Sequence, residues 1–115
     1  LELSKQLQVD MKVLGEITIT ADKVEQGIYT CKIKAVTQNP MINTLAKTLN
    51  NMINNTEKNM TQLRDILESY TNDDFRPQID IDPKLKADLL AVMKSVNILG
   101  QTLNNNAKLN LTNGQ

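Results

Sequence analysis

The feature that most constrains this chain is an internal repeat. The segment 24–33 aligns with 70–79 at a shift of 46 residues, so that a chain-breaking residue, an aromatic residue and an isoleucine coincide. The segment 45–52 aligns with 92–99 at a shift of 47 residues, and here a lysine, a small hydroxyl residue, an apolar residue and an asparagine match in place. Because a repeat decides the architecture of a chain, two similar units are expected to fill nearly all of the 115 residues.

Each unit is predicted to hold two helices. Apolar residues recur at spacings of three, four or seven from Leu3 to Val24, which indicates a helix, although Gly15 and the β-branched run 17–20 weaken the pattern. A stripe without Gly or Pro predicts one long helix from Met41 to Tyr70. Asp82-Pro83 is expected to open the last helix, since Pro is favoured at a first helical position.

Extended connectors join the helices of each unit. Gly27 is typical of a residue that ends a helix, and the stretch 28–36 after it has an alternating apolar pattern. The stretch 75–82 is also predicted to be extended, because Pro77 cannot lie inside a helix. The tail from Asn104 is polar and is expected to fray unless the natural chain continues.

The predicted fold class is all-α. A connector of roughly a dozen residues carries the chain back along the first helix, so the second helix runs parallel to it. Two helices cannot enclose a core, and a second copy of the chain would supply the missing pair. We therefore predict a homodimer of two stacked parallel four-helix coiled-coil units, each with an extended connector. Residues 1–56 form the first unit, 57–104 form the second, and 105–115 form a polar tail that leads to a downstream segment.

Two sets of residues are predicted to build these units. The dimer core consists of the stripe residues Leu14, Ile17, Leu45, Leu49, Met52, Met60, Leu63, Val92, Val96 and Leu99. The connectors hold a second set, which consists of Gly27, Ile28, Tyr29, Ile33, Asp73, Phe75 and Ile79. Asn50 and Asn97 lie beside the core stripe, where they either fix the register of the helices or are merely solvated.

Composition argues against catalysis and against several kinds of ligand. The chain has no His and one cysteine, Cys31, which excludes the usual nucleophile-base pairs and most transition-metal sites, so no catalytic, cofactor or metal residue is predicted. The acidic pairs 73–74 and 80/82 do not have the spacing of a calcium loop. Thirteen basic and thirteen acidic residues are spread along the chain, which disfavours nucleic acid as a partner, and no small-molecule substrate is indicated. No apolar run approaches the roughly 18 to 20 residues of a membrane span.

With the repeat in view, the chain resembles two consecutive HAMP units, the relay modules of bacterial chemoreceptors and sensor kinases. The resemblance covers about nine-tenths of the chain and rests on a few short segments. These are Gly27-Ile28-Tyr29 with Ile33, the stretch 45–52 with Leu49-Asn50-Asn51-Met52, Asp73-Asp74-Phe75 with Ile79, and Val96-Asn97-Ile98-Leu99. Pro40–Asn43 and Ala87–Leu90 stand where the family often has an Asp-Glu pair followed by an apolar residue and Gly.

The resemblance implies a mechanical function, in which the connector residues of the second set pack over the side of the bundle. The first helix of a unit would receive a small displacement, the bundle would have two packings of similar free energy, and the second helix would pass the chosen packing onward. Through a helix shared by both units, a packing stabilised in the first would bias the second. The implied setting is the cytoplasmic part of an inner-membrane methyl-accepting chemotaxis protein, with an upstream sensor and a downstream kinase-control domain of the same chain as partners.

Two alternatives from other classes remain. A structural coiled-coil segment without switching predicts helix straight through the connectors, against Gly27, Pro77 and Pro83. A small ligand-binding four-helix sensor needs a pocket with convergent polar groups, and the sequence proposes no such cluster.

Overall fold

The computed structural model describes residues 2–112, and this part of the chain is all-α. It contains three helices, α1 (Glu2–Glu25), α2 (Pro40–Thr71) and α3 (Ala87–Thr112), and no strand. The connectors 26–39 and 72–86 contain only turns, two bends and irregular backbone. The predicted all-α class is therefore confirmed, whereas helix through the connectors, which the structural coiled-coil alternative requires, is not found.

The helices α1 and α2 follow their predicted bounds within one residue. At the start of α2 the backbone N–H of Met41 donates to the Asn39 side-chain oxygen at 3.0 Å, and Pro40 occupies the first helical position. Asn is a favoured N-cap and Pro a favoured first residue, so Asn39-Pro40 fixes this helix start. The 32-residue α2 then runs without interruption to Thr71.

The predicted start of the third helix is wrong by four residues. The Asp82 carboxylate accepts a hydrogen bond from the Lys84 N–H at 2.9 Å, and the Asp82 carbonyl accepts one from the Leu85 N–H at 3.0 Å. These bonds close a turn around Pro83. Ala87 then has a φ of 54°, in the left-handed region, and α3 begins only there. Asp82 caps a turn because Asp followed by Pro suits a turn as well as a helix start.

The segment from Asn104, which is expected to fray unless the chain continues, is helical in α3 as far as Thr112. Leu103, Asn104 and Ala107 remain half-buried on one side of the helix. A helix that is already formed adds one hydrogen bond for each residue fixed, which offsets the modest helix penalty of Asn.

The chain divides into two compact units, Leu1–Asn59 and Met60–Gln115. The division lies inside α2, which contributes residues to both units. The sequence analysis places the boundary between residues 56 and 57, in the same helix. Unit 1 has a small core of Val13, Thr20, Ile33, Ala46 and Ile53, and unit 2 has one of Ile66, Tyr70, Ile79 and Met93.

The repeat is reproduced in the pattern of burial. At the shifts of 46 and 47 residues, four buried positions of unit 1 correspond to four buried positions of unit 2. The pairs are Thr20 with Ile66, Ile33 with Ile79, Ala46 with Met93, and Ile53 with Gly100. In three of the pairs the two residues differ in size. The larger residue belongs to unit 2 at Thr20/Ile66 and Ala46/Met93 and to unit 1 at Ile53/Gly100, so each unit fills a similar space with a different set of side chains.

Within unit 1 the connector runs antiparallel to both helices. The contacts pair Asp10 with Thr37 and Glu16 with Lys34 on α1, and Asn43 with Thr37 and Asn50 with Ile33 on α2. Residue numbers rise along each helix as they fall along the connector. The helices of unit 1 are therefore parallel to each other, which the length of the connector predicts.

Candidate functional site

The most specific polar contact in unit 1 joins an asparagine to the backbone of the connector. The Ile33 N–H donates to Asn50 Oδ1 at 2.8 Å, and Asn50 Nδ2 donates to the Ile33 carbonyl at 2.9 Å. The Ile33 side chain is buried, so both backbone groups would lack partners without Asn50. We call this arrangement, in which one Asn side chain binds both backbone polar groups of one residue, an amide clamp.

Unit 2 contains the same clamp. The Ile79 N–H donates to Asn97 Oδ1 at 2.7 Å, and Asn97 Nδ2 donates to the Ile79 carbonyl at 3.1 Å. Asn97 is 47 residues beyond Asn50, and Ile79 is 46 residues beyond Ile33. In both units the connector is thus bound to the second helix through an isoleucine. This role of Asn50 and Asn97 differs from the two roles that the sequence analysis left open.

Unit 1 has a second clamp one heptad earlier on α2. The Thr37 N–H donates to Asn43 Oδ1 at 3.0 Å, and Asn43 Nδ2 donates to the Thr37 carbonyl at 2.6 Å. The buried Thr37 hydroxyl also donates to the Asp10 carboxylate and accepts from Gln6 Nε2 at 2.9 Å. This Thr37 cluster joins the start of α1, the end of the connector and the start of α2.

A further bond ties the unit 1 connector to α1. The Glu16 carboxylate accepts from the Lys34 N–H at 2.6 Å and, more weakly, from the Ala35 N–H at 3.5 Å. Glu16 and the Thr37 cluster together hold the connector to the first helix, whereas Asn50 holds it to the second. The sequence analysis did not single out Glu16, Thr37 or Asn43, and only the heptad spacing of Asn43 and Asn50 could have suggested a shared role.

Unit 2 replaces the Thr37 cluster with apolar contacts. The positions that correspond to Asp10, Thr37 and Asn43 are occupied by Thr56, Pro83 and Leu90. Here the partly buried Ile81, Leu85 and Leu89 pack against the unit 2 core instead. The two units therefore share the amide clamp beside the buried isoleucine and differ in the contacts at the start of the second helix.

The first helix of each unit ends in the same hydrogen-bonded turn. After α1 the Gly27 N–H donates to Val24 O and the Ile28 N–H to Lys23 O, both at 2.9 Å. Gly27 has a φ of 89°. After Tyr70 the equivalent bonds run from Asp73 and Asp74, and Asp73 has a φ of 63°. These are Schellman motifs, which need a left-handed residue and usually use Gly.

The side chains predicted to pack along the connectors are only partly enclosed. Ile33 and Ile79 are buried, and Tyr29 and Phe75 are half-buried. Ile28 is 41% exposed and does not join the core of the chain. The Phe75 ring lies 5.9 Å from that of Tyr70, centroid to centroid, in a tilted arrangement.

Three groups in and around the second connector have shifted pKa values, and one of them is Arg76, whose guanidinium pKa is raised by its side-chain hydrogen bond to Asp74. Burial raises the pKa of the Tyr70 hydroxyl above its ordinary value. On the connector, a side-chain hydrogen bond from Arg76 lowers the pKa of the exposed Asp74 carboxyl. The Asp74 carboxylate accepts this bond from Arg76 Nε at 2.9 Å, and it also accepts one from the Arg76 backbone N–H at 3.3 Å.

Apolar residues at heptad spacing remain exposed on all three helices. Two pairs belong to unit 1 and two to unit 2, with members between 36% and 61% exposed. The residues of this exposed stripe are Leu7 and Leu14, Leu45 and Met52, Met60 and Leu67, and Val92 and Leu99. Six of the eight belong to the predicted dimer core, and the other four predicted core residues, Ile17, Leu49, Leu63 and Val96, are half-buried.

On α2 and α3 the exposed stripe lies on a different side of the helix from the connector. An α-helix turns by about 100° per residue, so Met52 is rotated by that angle from the buried Ile53. In the same way, Leu99 is rotated by about 200° from the clamp residue Asn97. Ile98 is rotated by about 100° from Asn97 and from Leu99, so it lies on the outer side of the helix, away from the connector and from the stripe. The connector and the stripe thus occupy separate surfaces of these two helices.

Each unit also has an open groove beside its connector. In unit 2 a groove of 460 Å³ lies between Gln62, Asp65 and Ile66 of α2 and the connector residues 77–80. In unit 1 a groove of 330 Å³ lies between the connector residues 33–36 and α2. Within residues 2–112 no group of three or more Cys, Asp or Glu residues is placed to hold a metal ion.

Comparison with known proteins gives no further assignment. No protein-family model matches the chain, and neither a curated protein nor a solved structure is detectably similar to it. Among the described residues, no helix combines the length and the apolar character needed to cross a membrane.

Proposed function

We propose that this chain is a non-enzymatic signal-relay segment that acts as a parallel homodimer of two HAMP-like units. The observation that carries the proposal is the exposed stripe. Its four heptad pairs repeat in both units, whereas scattered single apolar residues are ordinary on a protein surface. A heptad-spaced apolar stripe is what a helix presents to a coiled-coil partner.

A second copy of the chain fits this surface because the surface is self-complementary. In a parallel two-fold dimer each stripe residue lies level with its own copy, so Leu45 faces Leu45 and Leu99 faces Leu99. Each unit would then have four helices around one core. The half-buried residues next to the stripe, such as Leu49 and Val96, would complete that core.

The clamps suggest which parts of a unit move together. Asn50 binds the connector to α2 in unit 1, and Asn97 binds it to α3 in unit 2. The connector and the second helix are therefore joined in both units. In unit 1 the connector is also bonded to α1 through Glu16 and Thr37, so rotation or sliding of α1 would shift or break those bonds. Since α2 is the second helix of unit 1 and the first helix of unit 2, its displacement would be the output of one unit and the input of the next.

The resemblance to HAMP units supplies the wider setting of the proposal. An upstream sensor would displace α1, and a downstream kinase-control domain would respond to α3, in a bacterial chemoreceptor whose signalling part is cytoplasmic. A switch of this kind needs two packings that differ by only a few kcal/mol, so that a small displacement changes their populations.

The proposal can be tested by measuring unit 2 while unit 1 is altered. A spin label is attached at Lys94, an exposed position of α3, in the Cys31→Ser chain, and the distance between the two labels of the dimer is measured. Leu14→Ala in the exposed stripe of α1 is expected to shift the distance distribution. The control is Ile19→Ala, an equally helical but outward position that is 61% exposed.

The two outcomes are distinct. A distribution that moves with Leu14→Ala and not with Ile19→Ala supports relay between the units. A dimer whose α3 distances ignore Leu14→Ala, and also ignore the same substitution at Ile17, is a static coiled-coil segment.

A further inference from the structure

Tyr70 and Gly100 fit together in unit 2. The Tyr70 hydroxyl donates a hydrogen bond to the Val96 carbonyl of α3 at 3.2 Å, and its ring is buried. A Cβ added at Gly100 would overlap this hydroxyl and lie only 2.8 Å from Tyr70 Cζ. The absence of a side chain at Gly100 therefore makes the space into which the end of the tyrosine fits.

The other glycine inside a helix has no such neighbour. A Cβ added at Gly15 of α1 would meet nothing within 4 Å. Glycine in a helix interior is unfavourable by about 1 kcal/mol relative to alanine. At Gly15 no contact offsets this cost, whereas at Gly100 the space left by the missing side chain is occupied by Tyr70.

The corresponding positions of unit 1 carry the opposite sizes. Val24 stands where unit 2 has Tyr70, and Ile53, which is fully buried, stands where unit 2 has Gly100. A large residue on the first helix is thus matched with a small one on the second in unit 2, and the reverse holds in unit 1. The sizes at the two positions are therefore reversed between the units, and an isoleucine at position 100 opposite Tyr70 would overfill the site of unit 2.

We propose that Tyr70 is a positioning residue that fixes the axial register of α3 against α2 in unit 2. The hydroxyl reaches one carbonyl of α3, and the space above Gly100 admits it at one level only. If α3 slid along α2 by one turn, the hydroxyl would meet a position with a side chain in place of Gly100. Within the proposed function, on which this part rests, displacement of the last turns of α2 would reach α3 directly through Tyr70.

The contact is first tested by spectroscopy on the full chain. The chain has two tyrosines and no tryptophan, so in the Tyr29→Phe variant Tyr70 is the only source of tyrosine absorbance and fluorescence. Adding Gly100→Ala is expected to expel the hydroxyl, which moves the Tyr70 pKa back toward its ordinary value and increases quenching by acrylamide. Gly15→Ala is the matched control and should change neither. An unchanged Tyr70 signal in Gly100→Ala would overturn the proposal.

The register is then tested with two spin labels in one chain. The labels are placed at Glu68 and Gln101, exposed positions of α2 and α3, in the Cys31→Ser background. Gly100→Ile is expected to shift or broaden the distance distribution. The double variant Tyr70→Val/Gly100→Ile, which installs the residue pair of unit 1, is expected to restore a single narrow distribution. A double variant as broad as the single one contradicts the proposal.

These measurements do not depend on the dimer. Labelled chain is mixed with excess unlabelled chain, so that only distances within one chain contribute. If the label at Lys94 ignores changes in unit 1 while the Tyr70 contact and register hold, the relay function fails and the positioning role of Tyr70 stands. If instead the label at Lys94 responds to changes in unit 1 while the tests of the Tyr70 contact and register fail, the positioning role of Tyr70 fails and the relay function stands.

Discussion

Asn50 binds both backbone polar groups of Ile33, at 2.8 and 2.9 Å, and so keeps the connector of unit 1 on α2. Asn97 repeats the arrangement on Ile79 in unit 2. Asn is unfavourable inside a helix relative to Ala, yet it stands at this position in both copies of the repeat. Its side-chain amide offers a donor and an acceptor side by side, which is what the N–H and carbonyl of one extended residue require.

Removal of an amide clamp should destabilise its unit. Asn50→Ala leaves the N–H and carbonyl of the buried Ile33 without their partner, and we expect a loss of about 1–3 kcal/mol in the free energy of unfolding. The measurement is urea unfolding followed by circular dichroism at one fixed chain concentration. Asn51→Ala, at the exposed neighbouring position, should change stability by less than about 0.5 kcal/mol. Equal effects of the two substitutions would show that the clamp contributes nothing.

The two helix ends should respond in opposite directions to substitution. Gly27→Ala places a side chain at a φ of 89° and should cost about 1 kcal/mol. Asp73→Gly relieves a residue at a φ of 63° and should stabilise by a similar or smaller amount. Thermal unfolding of both variants beside the native chain checks the pair. If Asp73→Gly lowers the unfolding temperature, the Asp73 side chain has a role that the hydrogen-bonded turn does not explain.

The Thr37 cluster should protect the end of the first connector. Asn43→Leu installs the residue that unit 2 has at the corresponding position and removes both bonds to the Thr37 backbone. We expect faster hydrogen exchange of the Thr37 N–H, by roughly 10-fold or more if about 1.4 kcal/mol of local stability is lost. Thr44→Leu, at an exposed position one residue later, is the control. Unaltered exchange at Thr37 in Asn43→Leu would mean that the clamp does not hold this end.

Much of the helical layout follows from the sequence because it depends on local patterns. The apolar stripe without Gly or Pro from Met41 to Tyr70 leaves few alternatives to one long helix, and Asn39-Pro40 combines two independent start signals. Gly27 marks the end of α1 because glycine adopts a positive φ without steric cost, and this preference can be recognised from the sequence alone. The repeat supports these helix predictions, since an ambiguous segment in one unit can be compared with its counterpart in the other.

The sequence could not provide the contacts between distant residues, nor could it decide between a turn and a helix start at Asp82-Pro83. Asp82-Pro83 has the same signature as a helix start, and only the bonds to Lys84 and Leu85 make it a turn. The partners of Asn50 and Asn97 lie 17 and 18 residues earlier in the chain, beyond any local pattern. Gly100 interrupts no apolar stripe, so nothing in its own segment indicates that Tyr70, 30 residues away, fills its space.

The exposed stripe should be the surface on which two chains meet, and neighbouring residues of α3 allow a sharp comparison. Leu99 is 46% exposed and belongs to the stripe, whereas Ile98 is 61% exposed and faces outward. Leu99→Lys puts a charge into the dimer core, where it lies level with its own copy. Ile98→Lys puts the same charge on a more exposed residue that the proposed dimer leaves in solvent. Exposure alone therefore predicts no difference between the two variants.

Sedimentation equilibrium of the native chain, Leu99→Lys and Ile98→Lys over a wide concentration range, with circular dichroism on the same samples, decides whether the exposed stripe is the dimer surface. We expect that the native chain and Ile98→Lys are dimers whose helicity falls as they dissociate, and that Leu99→Lys dissociates at much higher concentration than either. A native chain that stays a stable, fully helical monomer at every concentration, or two lysine variants that behave alike, would contradict this expectation.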